Sequence, residues 1–134
     1  MIGLDTNVLV RYFTQDDEVQ AGLSKKLIRR YSGKNGSLFI NNIVICELIW
    51  VLERGYKYSK KQISNAVKLM LSAKEFAYEN LDHIWLALNE YEQNGVDFSD
   101  ALIGEINKSK GCQATYTFDQ KAVKLGSFES IPGN

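Results

Sequence analysis

The stretch MIGLDTNVLV, residues 1–10, decides the fold that this sequence predicts. Positions compatible with an apolar strand lead to Asp5-Thr6-Asn7, and a second apolar segment follows at once. The pattern indicates a short buried strand, a carboxylate at its carboxyl end, and then a helix. Asp5, Thr6 or Asn7 can cap that helix. In open parallel sheets, however, ligands gather at the carboxyl ends of the strands, which makes Asp5 a candidate site residue as well.

Length and composition limit the class of protein. We expect a single domain over residues 1–134, because this length supports one real core but not two. The 16 basic and 16 acidic residues cancel, so no global positive field indicates a nucleic-acid partner. Cys46 and Cys112 form no C-x-x-C motif and are expected to be small buried thiols. The absence of a leader and of a long apolar run predicts a cytoplasmic protein with no membrane contact.

Helical and strand patterns alternate along the chain. After a first helix over about residues 7–13, DDEVQAGLSKKLIRRY predicts an amphipathic helix. Its expected apolar face holds Leu23, Leu27, Ile28 and Tyr31. The run SLFIN predicts a second strand parallel to the first, and Ser59 with Gln62 predicts a capping box at the start of a later helix.

The last part of the chain adds further elements of both kinds. A helix is expected from Asp82 to Gly95, and Asp97 or Ser99 can cap the next one, with Asp100 in its first turn. CQATYTFD predicts a strand that ends at Asp119, QKAVKLG a helix, and SFESIP a last short strand. This order predicts an α/β fold, a three-layer α/β/α sandwich with a mostly parallel central sheet.

Glu47 is the charge that interrupts an otherwise apolar segment. The helix predicted for NNIVICELIWVLERGY is apolar almost all round until Glu53, so we expect it to be largely buried. A buried and unpaired carboxylate costs several kcal/mol. Glu47 is therefore expected to be neutral, paired in a structural ion pair, or facing a polar cavity or a metal.

The acids fall where a shared site would need them. Asp5 and Asp119 close predicted strands, Asp100 opens a helix, and Glu47 interrupts one, so these carboxylates could converge over one sheet edge. Two unit charges about 4 Å apart repel by about 4 kcal/mol at an effective dielectric near 20, so such a cluster needs protons or cations. Oxygen-only ligands favour Mg²⁺ or Mn²⁺ over zinc. The sole histidine, His83, cannot form a His-x-x-x-His zinc site.

Four segments follow one another along the chain: LDTNVLVRYF, ICELIWVLERGY, DFSDALIGEIN and TYTFD. In these segments, and in this order, the sequence resembles the PIN-domain family, specifically the VapC-like toxin ribonucleases of type II toxin–antitoxin systems. The segments extend over essentially the whole chain. Together these motifs are specific, whereas Asp-Thr-Asn alone would be weak.

The resemblance implies a set of site residues. It maps the family's catalytic, metal-binding acids onto Asp5, Glu47, Asp100 and Asp119, with Asp97 as an additional metal ligand and Thr6, Asn7 and Thr117 at supporting positions. It also implies metal-dependent cleavage of RNA, a homodimer, and a cognate antitoxin that is usually VapB-like. Basic residues should rim an acidic site to hold the flanking phosphates, and Arg11, one helix from Asp5, is the leading candidate for RNA binding.

Other functions are compatible with parts of this pattern. A structure-specific DNA nuclease of the same fold would share the acids, because the choice of RNA depends on 2′-hydroxyl contacts. A Mg²⁺-binding phosphoacceptor receiver domain needs an acidic pair after the first strand, where this chain has one Asp followed by Thr-Asn. A third alternative is a non-catalytic binding protein of the same fold. Such a protein would not need the four acids, so their presence argues against it.

Overall fold

A computed structural model describes residues 1–133 of the protein, and the chain divides into two units after Leu81. The first unit is Met1–Leu81, and the second begins at Asp82. Each unit has its own parallel strands and its own packed helices. The expectation of one domain over residues 1–134 stays a prediction.

The first unit is built on three short parallel strands. Its elements are β1 (Ile2–Gly3), α1 (Thr6–Thr14), α2 (Glu18–Arg30), β2 (Leu38–Ile40), α3 (Asn42–Arg54), α4 (Lys60–Ser72) and β3 (Phe76–Tyr78). The strand order is β1-β2-β3, with Ile2 opposite Leu38 and Leu38 opposite Phe76. Helices connect each pair of strands, as parallel pairing requires.

The second unit has a smaller parallel ladder. Its elements are α5 (Leu81–Asn94), which starts at the last residue of the first unit, α6 (Phe98–Ser109), β4 (Thr115–Thr117), a 3₁₀ helix (Ala122–Leu125) and β5 (Phe128–Ser130). β4 pairs with β5 in parallel, with Thr115 opposite Phe128. The last strand predicted in SFESIP is confirmed, and the helix predicted after Asp119 is a 3₁₀ helix.

The predicted α/β class with parallel strands is confirmed. Every described strand pair is parallel, and the strands form two ladders, β1-β2-β3 and β4-β5. The sequence does not predict β3, because Phe76–Tyr78 follows a helical pattern closely and is only three residues long. The hydroxyl of Tyr78 donates to the carbonyl of Met70 at 3.1 Å, and burial raises the pKa of this tyrosine.

Apolar side chains from β2, α3 and α4 form the core of the first unit. Leu38 and Ile40 of β2 are fully buried, as are Leu48 of α3 and Ile63 and Val67 of α4. Burial of each such side chain contributes about 1.5–3 kcal/mol relative to exposure. The central strand and the inward faces of both helices therefore account for much of the stability of this unit.

The predicted capping box at the start of α4 is confirmed. The hydroxyl of Ser59 accepts the Gln62 N–H at 3.1 Å, and the Gln62 side chain accepts the Ser59 N–H at 2.9 Å. Each side chain satisfies a backbone donor that the first turn leaves without an intrahelical partner.

The core of the second unit depends on aromatic rings and one close backbone approach. Tyr91 and Phe98 are buried and pack edge to face, with ring centroids 6.4 Å apart. Gly104 of α6 lies against the ring of Phe128, where a Cβ atom would come within 2.7 Å of a ring carbon. Glycine at this position lets α6 approach β5.

Three expectations about burial are wrong. Leu23 is 61% exposed, whereas Leu27, Ile28 and Tyr31 of the predicted face are half-buried and the buried residues of α2 are Ala21 and Ser24. β1 is exposed. Cys112 is exposed and Cys46 is only half-buried, so neither is a fully buried thiol.

Within residues 1–133, we find no helix whose length and apolar character would let it span a membrane.

Candidate active site

Asp5 stands at the turn from β1 to α1. Leu4, just before it, is buried, while Asp5 itself is exposed. Its carboxylate accepts the Thr6 N–H at 2.7 Å and caps α1. The predicted helix cap is therefore confirmed, and the same geometry puts the carboxylate just beyond the carboxyl end of a parallel strand.

Thr6 connects this turn to Glu47 in the middle of α3. Its hydroxyl donates to Oε1 of Glu47 at 2.6 Å. A hydrogen bond to a carboxylate is among the stronger ones in proteins and fixes the direction of the acceptor. The supporting position predicted for Thr6 thus has a physical basis in its contact with a predicted site acid.

The expected burial of Glu47 is wrong. Glu47 is exposed, and it shares an outward stripe of α3 with Ile43, which is 70% exposed, and with Trp50, which is 55% exposed. Leu48 and Ile49 turn inward instead. The cost of a buried carboxylate therefore gives no argument for function here, and the case for Glu47 depends on what lies around it.

A cavity of about 410 Å³ in the first unit is lined by all of the residues predicted for the site in this part of the chain. These residues are Asp5, Thr6, Asn7, Arg11 and Glu47. Two carboxylates thus share one concave surface with a hydroxyl, an amide and a guanidinium group. Trp50 and Tyr56 also line this cavity, although neither is among the site residues predicted from the sequence.

Arg11 is held in place by hydrogen bonds on several sides. Its Nη1 contacts the Asp16 carboxylate at 3.0 Å and the Tyr56 hydroxyl at 3.1 Å, and its Nε donates to Gln20 at 2.7 Å. Tyr56 in turn donates to Asp16 at 2.7 Å. The guanidinium predicted to bind RNA therefore has a fixed position on the cavity wall.

The pKa values in this cluster reflect its hydrogen bonds. Hydrogen bonds from the hydroxyls of Tyr56 and Thr14 lower the pKa of Asp16 against an opposing effect of burial, and the charge of Arg11 lowers it further. Burial lowers the pKa of Arg11, but the charge and hydrogen bonds that Asp16 and Tyr56 contribute outweigh this and raise it. Both side chains are thus held in their charged forms.

Sequence reasoning does not find Tyr56 and Asp16. The only local signals are Gly55 at the end of α3 and the turn at Gln15, which has a φ of 56° and directly precedes Asp16. Neither signal specifies a partner, because the contact joins residues 40 positions apart in the chain.

The second unit brings together the other predicted acids. Asp97 caps α6 by accepting the Asp100 N–H at 3.1 Å, so Asp97 rather than Ser99 is the cap. Asp119 follows β4, where its N–H donates to the Thr117 hydroxyl at 2.9 Å and its carboxylate accepts the Lys121 N–H at 2.9 Å. Thr117 thus supports the turn that carries Asp119.

The neighbouring acids affect the pKa of Asp100. Partial burial, followed by the charges of Asp97 and Asp119, raises the pKa of Asp100. The surroundings of Asp100 therefore disfavour its charged form. A cation near the group would reverse the effect of the two charges.

The oxygen donors in both units fit Mg²⁺ or Mn²⁺ by chemical type, since carboxylates and a hydroxyl are hard ligands. Within residues 1–133, no group of three or more His, Cys, Asp or Glu side chains is arranged so that it could hold a metal ion. The expectation that Asp5 and Glu47 share one ion with Asp97, Asp100 and Asp119 stays a prediction.

Comparison with known proteins gives matches over most of the chain. A relative, the VapC ribonuclease of Aquifex aeolicus (strain VF5), is 29% identical over 123 residues, which is 92% of this chain and 90% of the relative. A solved structure, that of Mycobacterium tuberculosis VapC20, described as a Sarcin-Ricin loop cleaving toxin, is 22% identical. The match covers 98% of this chain and all of that one, with a TM-score of 0.44. The PIN domain family model matches residues 2–127, so the chain belongs to the PIN-domain family.

Proposed function

We propose that this protein is a metal-dependent ribonuclease that cleaves RNA phosphodiester bonds, and that it is the toxin of a toxin–antitoxin pair. The observation that carries the proposal is the cavity in which Asp5 and Glu47, from separate elements of a PIN-domain chain, lie beside Arg11. The similarity to a VapC ribonuclease over nearly the whole chain supports RNA as the substrate.

The carboxylates would hold the metal. Asp5, Glu47, Asp100 and Asp119 are the proposed catalytic ligands, with Asp97 as an additional one. A bound Mg²⁺ or Mn²⁺ would supply a Lewis acid for the scissile phosphate and lower the pKa of a water molecule. The raised pKa of Asp100 supports this role, because a site that disfavours its own negative charge gains from a cation.

The remaining site residues position these groups. The Thr6 hydroxyl orients Glu47, and Thr117 holds the turn at Asp119. Asn7 lines the cavity and can donate to a phosphate oxygen through its amide. Arg11 offers a positive charge whose direction Asp16 and Tyr56 fix, which suits a phosphate beside the one that is cleaved.

The wider context is also a proposal. We propose that the protein acts in the cytoplasm, that it forms a homodimer, and that a VapB-like antitoxin is its partner. We further propose that residues 1–134 form one domain, because the family match over residues 2–127 extends through both units. A single cooperative unfolding transition would support that last point, and two separate transitions would contradict it.

The proposal can be tested with a labelled single-stranded RNA and a DNA strand of the same sequence. The parent protein should cleave the RNA with Mg²⁺ or Mn²⁺, lose activity in EDTA, and regain it when metal is restored. Glu47→Gln should reduce cleavage to background while the circular dichroism spectrum is unchanged. Glu18→Gln, which alters an exposed carboxylate of α2, serves as the matched control and should keep parental activity.

Three results would contradict the proposal. One is RNA cleavage in EDTA that survives repurification, and another is parental activity in Glu47→Gln. The third is cleavage of the DNA strand alone, which would make the protein a DNA nuclease.

A further inference from the structure

Trp50 is a large aromatic side chain on the outward stripe of α3. It is 55% exposed, while the inward positions Leu48, Ile49 and Leu52 of the same helix are buried. Full burial of an aromatic side chain contributes about 1.5–3 kcal/mol, so its position on this stripe leaves much of that stabilisation unused in the free protein.

The location of Trp50 connects it to the candidate site. It follows Glu47 by three positions, which is about 4.5 Å of helix rise, so both side chains project from the same face of α3. Trp50 lines the same cavity as Asp5, Glu47 and Arg11. The lining of the cavity thus combines the aromatic side chain of Trp50 and the apolar side chains of Val10 and Val51 with charged and polar groups.

Arg54 lies over the indole. Its guanidinium carbon is 5.9 Å from the ring centroid of Trp50, within the range of a cation–π contact. This contact limits the orientations of the indole and places a positive charge beside it. Arg54 itself does not line the cavity, so the cation that Trp50 shares the cavity with is Arg11.

The presence of an aromatic side chain beside charged groups restricts which molecules can bind in the cavity. A purely apolar partner surface would cover Trp50 but would also desolvate Asp5 and Glu47 without pairing them, which is costly. A nucleotide brings a flat base for the indole and a charged phosphate for Arg11. Bases stack on aromatic side chains with little sequence preference, and only an unpaired base can expose its face in this way.

We propose that Trp50 is the stacking platform for a nucleobase of single-stranded RNA, adjacent to the phosphate at the site of Asp5 and Glu47. The inference rests on the proposed function and narrows its substrate class to unpaired segments such as loops and single strands. Trp50 is a substrate-binding residue in this scheme, and Arg54 positions it.

The test uses binding as its readout, so that it does not depend on cleavage. The dissociation constant of a labelled single-stranded RNA is measured with Ca²⁺ in place of Mg²⁺, for the parent, Trp50→Ala and Trp50→Phe. Trp85→Ala is the matched control, because Trp85 is also partly exposed, on α5. A second series replaces one base at a time with an abasic ribose.

We expect Trp50→Ala to weaken binding about 5- to 100-fold, the range for one lost stacked base, and Trp50→Phe to restore most of the affinity. Trp85→Ala should bind like the parent. One abasic position should weaken binding to the parent by a similar factor and should have no further effect in Trp50→Ala. A duplex of the same sequence should bind both proteins equally weakly.

Equal RNA affinity of the parent and Trp50→Ala would overturn the inference. So would a parent that is insensitive to every abasic position, or a change in oligomeric mass in Trp50→Ala with unchanged RNA affinity, which would assign Trp50 to a protein interface. If the predicted binding pattern appears and no metal restores cleavage, the stacking inference is supported and the proposed ribonuclease function fails. If cleavage occurs without dependence on Trp50, only the inference fails.

Discussion

At the scale of single residues, Tyr56 holds two charged side chains at once. Its hydroxyl accepts from Arg11 and donates to Asp16. A phenylalanine would keep the ring and remove both hydrogen bonds, so the Arg11 guanidinium would lose one of its anchors on the cavity wall. The arrangement therefore makes Tyr56 a positioning residue for Arg11.

We predict that Tyr56→Phe raises the KM for RNA more than it lowers kcat, because Arg11 is expected to bind a phosphate away from the reacting one. The loss of stability should be about 1 kcal/mol, typical of hydrogen bonds in proteins. Tyr58→Phe, which alters the neighbouring tyrosine ring, is the control. A fall in kcat alone, or equal effects of the two variants, would contradict this role.

Asp16 gives a prediction about pH. Its pKa in the folded protein lies below the ordinary value of 3.8, so the charged form favours folding. This stabilisation is present above that ordinary value and is lost as pH falls through the lowered one. Asp16→Asn should therefore lower the melting temperature at pH 7, and its difference from the parent should shrink as the pH falls below 3.8. A difference that is constant from pH 7 to pH 2 would contradict the assignment.

Glu47 shows what residue types alone can and cannot predict. The sequence correctly singles out this glutamate as a charge within an apolar segment, but its predicted burial is wrong. Apolar residues at Ile43 and Trp50 obscure the outward stripe, so composition suggests a helix buried all round. The network of Tyr56 and Asp16 is beyond prediction for a different reason, since it depends on how distant elements pack.

At the scale of elements, substitution of glycine by alanine is expected to change the free energy of unfolding in opposite directions at Gly104 and Gly22. A Cβ at Gly104 would meet the Phe128 ring at 2.7 Å and the Ser127 hydroxyl at 2.9 Å, whereas a Cβ at Gly22 meets nothing within 4 Å. Both glycines lie inside helices, α6 and α2. The difference between them is therefore one of packing.

We predict that Gly104→Ala destabilises the protein by about 1–3 kcal/mol through overpacking. Gly22→Ala should stabilise it by about 0.5–1 kcal/mol, because alanine loses less conformational freedom in a helix. Denaturant unfolding of both variants measures these changes in the free energy of unfolding. Stabilisation by Gly104→Ala would show that α6 does not approach β5 as described.

Local signals explain which elements are predictable. The cap at Asp5, the capping box at Ser59 and the cap at Asp97 are all confirmed, because each depends on residues within one turn of the helix start. The inward face of α2 and the strand β3 are not predicted correctly. Their burial and pairing depend on residues distant in sequence, such as the pairing of β3 with β2.

At the scale of the whole molecule, Asp100 links stability to metal binding. It lies in the first turn of α6, but burial and the charges of Asp97 and Asp119 disfavour its negative charge. We predict that in EDTA at neutral pH Asp100→Asn melts above the parent. Mg²⁺ should raise the melting temperature of the parent more than that of the variant, because a ligand stabilises the state that binds it.

The control for this prediction is Asp82→Asn, which removes a first-turn acid from α5. It should not raise the melting temperature, since it removes only a favourable interaction with the helix dipole. If Asp100→Asn melts below the parent in EDTA and Mg²⁺ shifts both equally, Asp100 is a helix stabiliser and not a ligand.

We predict that the proposed carboxylate ligands bind a divalent ion, and Mn²⁺ binding followed by electron paramagnetic resonance tests this prediction most directly. Glu47→Gln changes the first unit, Asp119→Asn changes the second, and Glu18→Gln serves as the control. The account predicts that the parent and Glu18→Gln bind Mn²⁺ equally, and that each of the other variants binds it about tenfold or more weakly, since affinity follows the charge count of the ligands. Parental Mn²⁺ affinity in either Glu47→Gln or Asp119→Asn would contradict the proposed role of that carboxylate as a metal ligand.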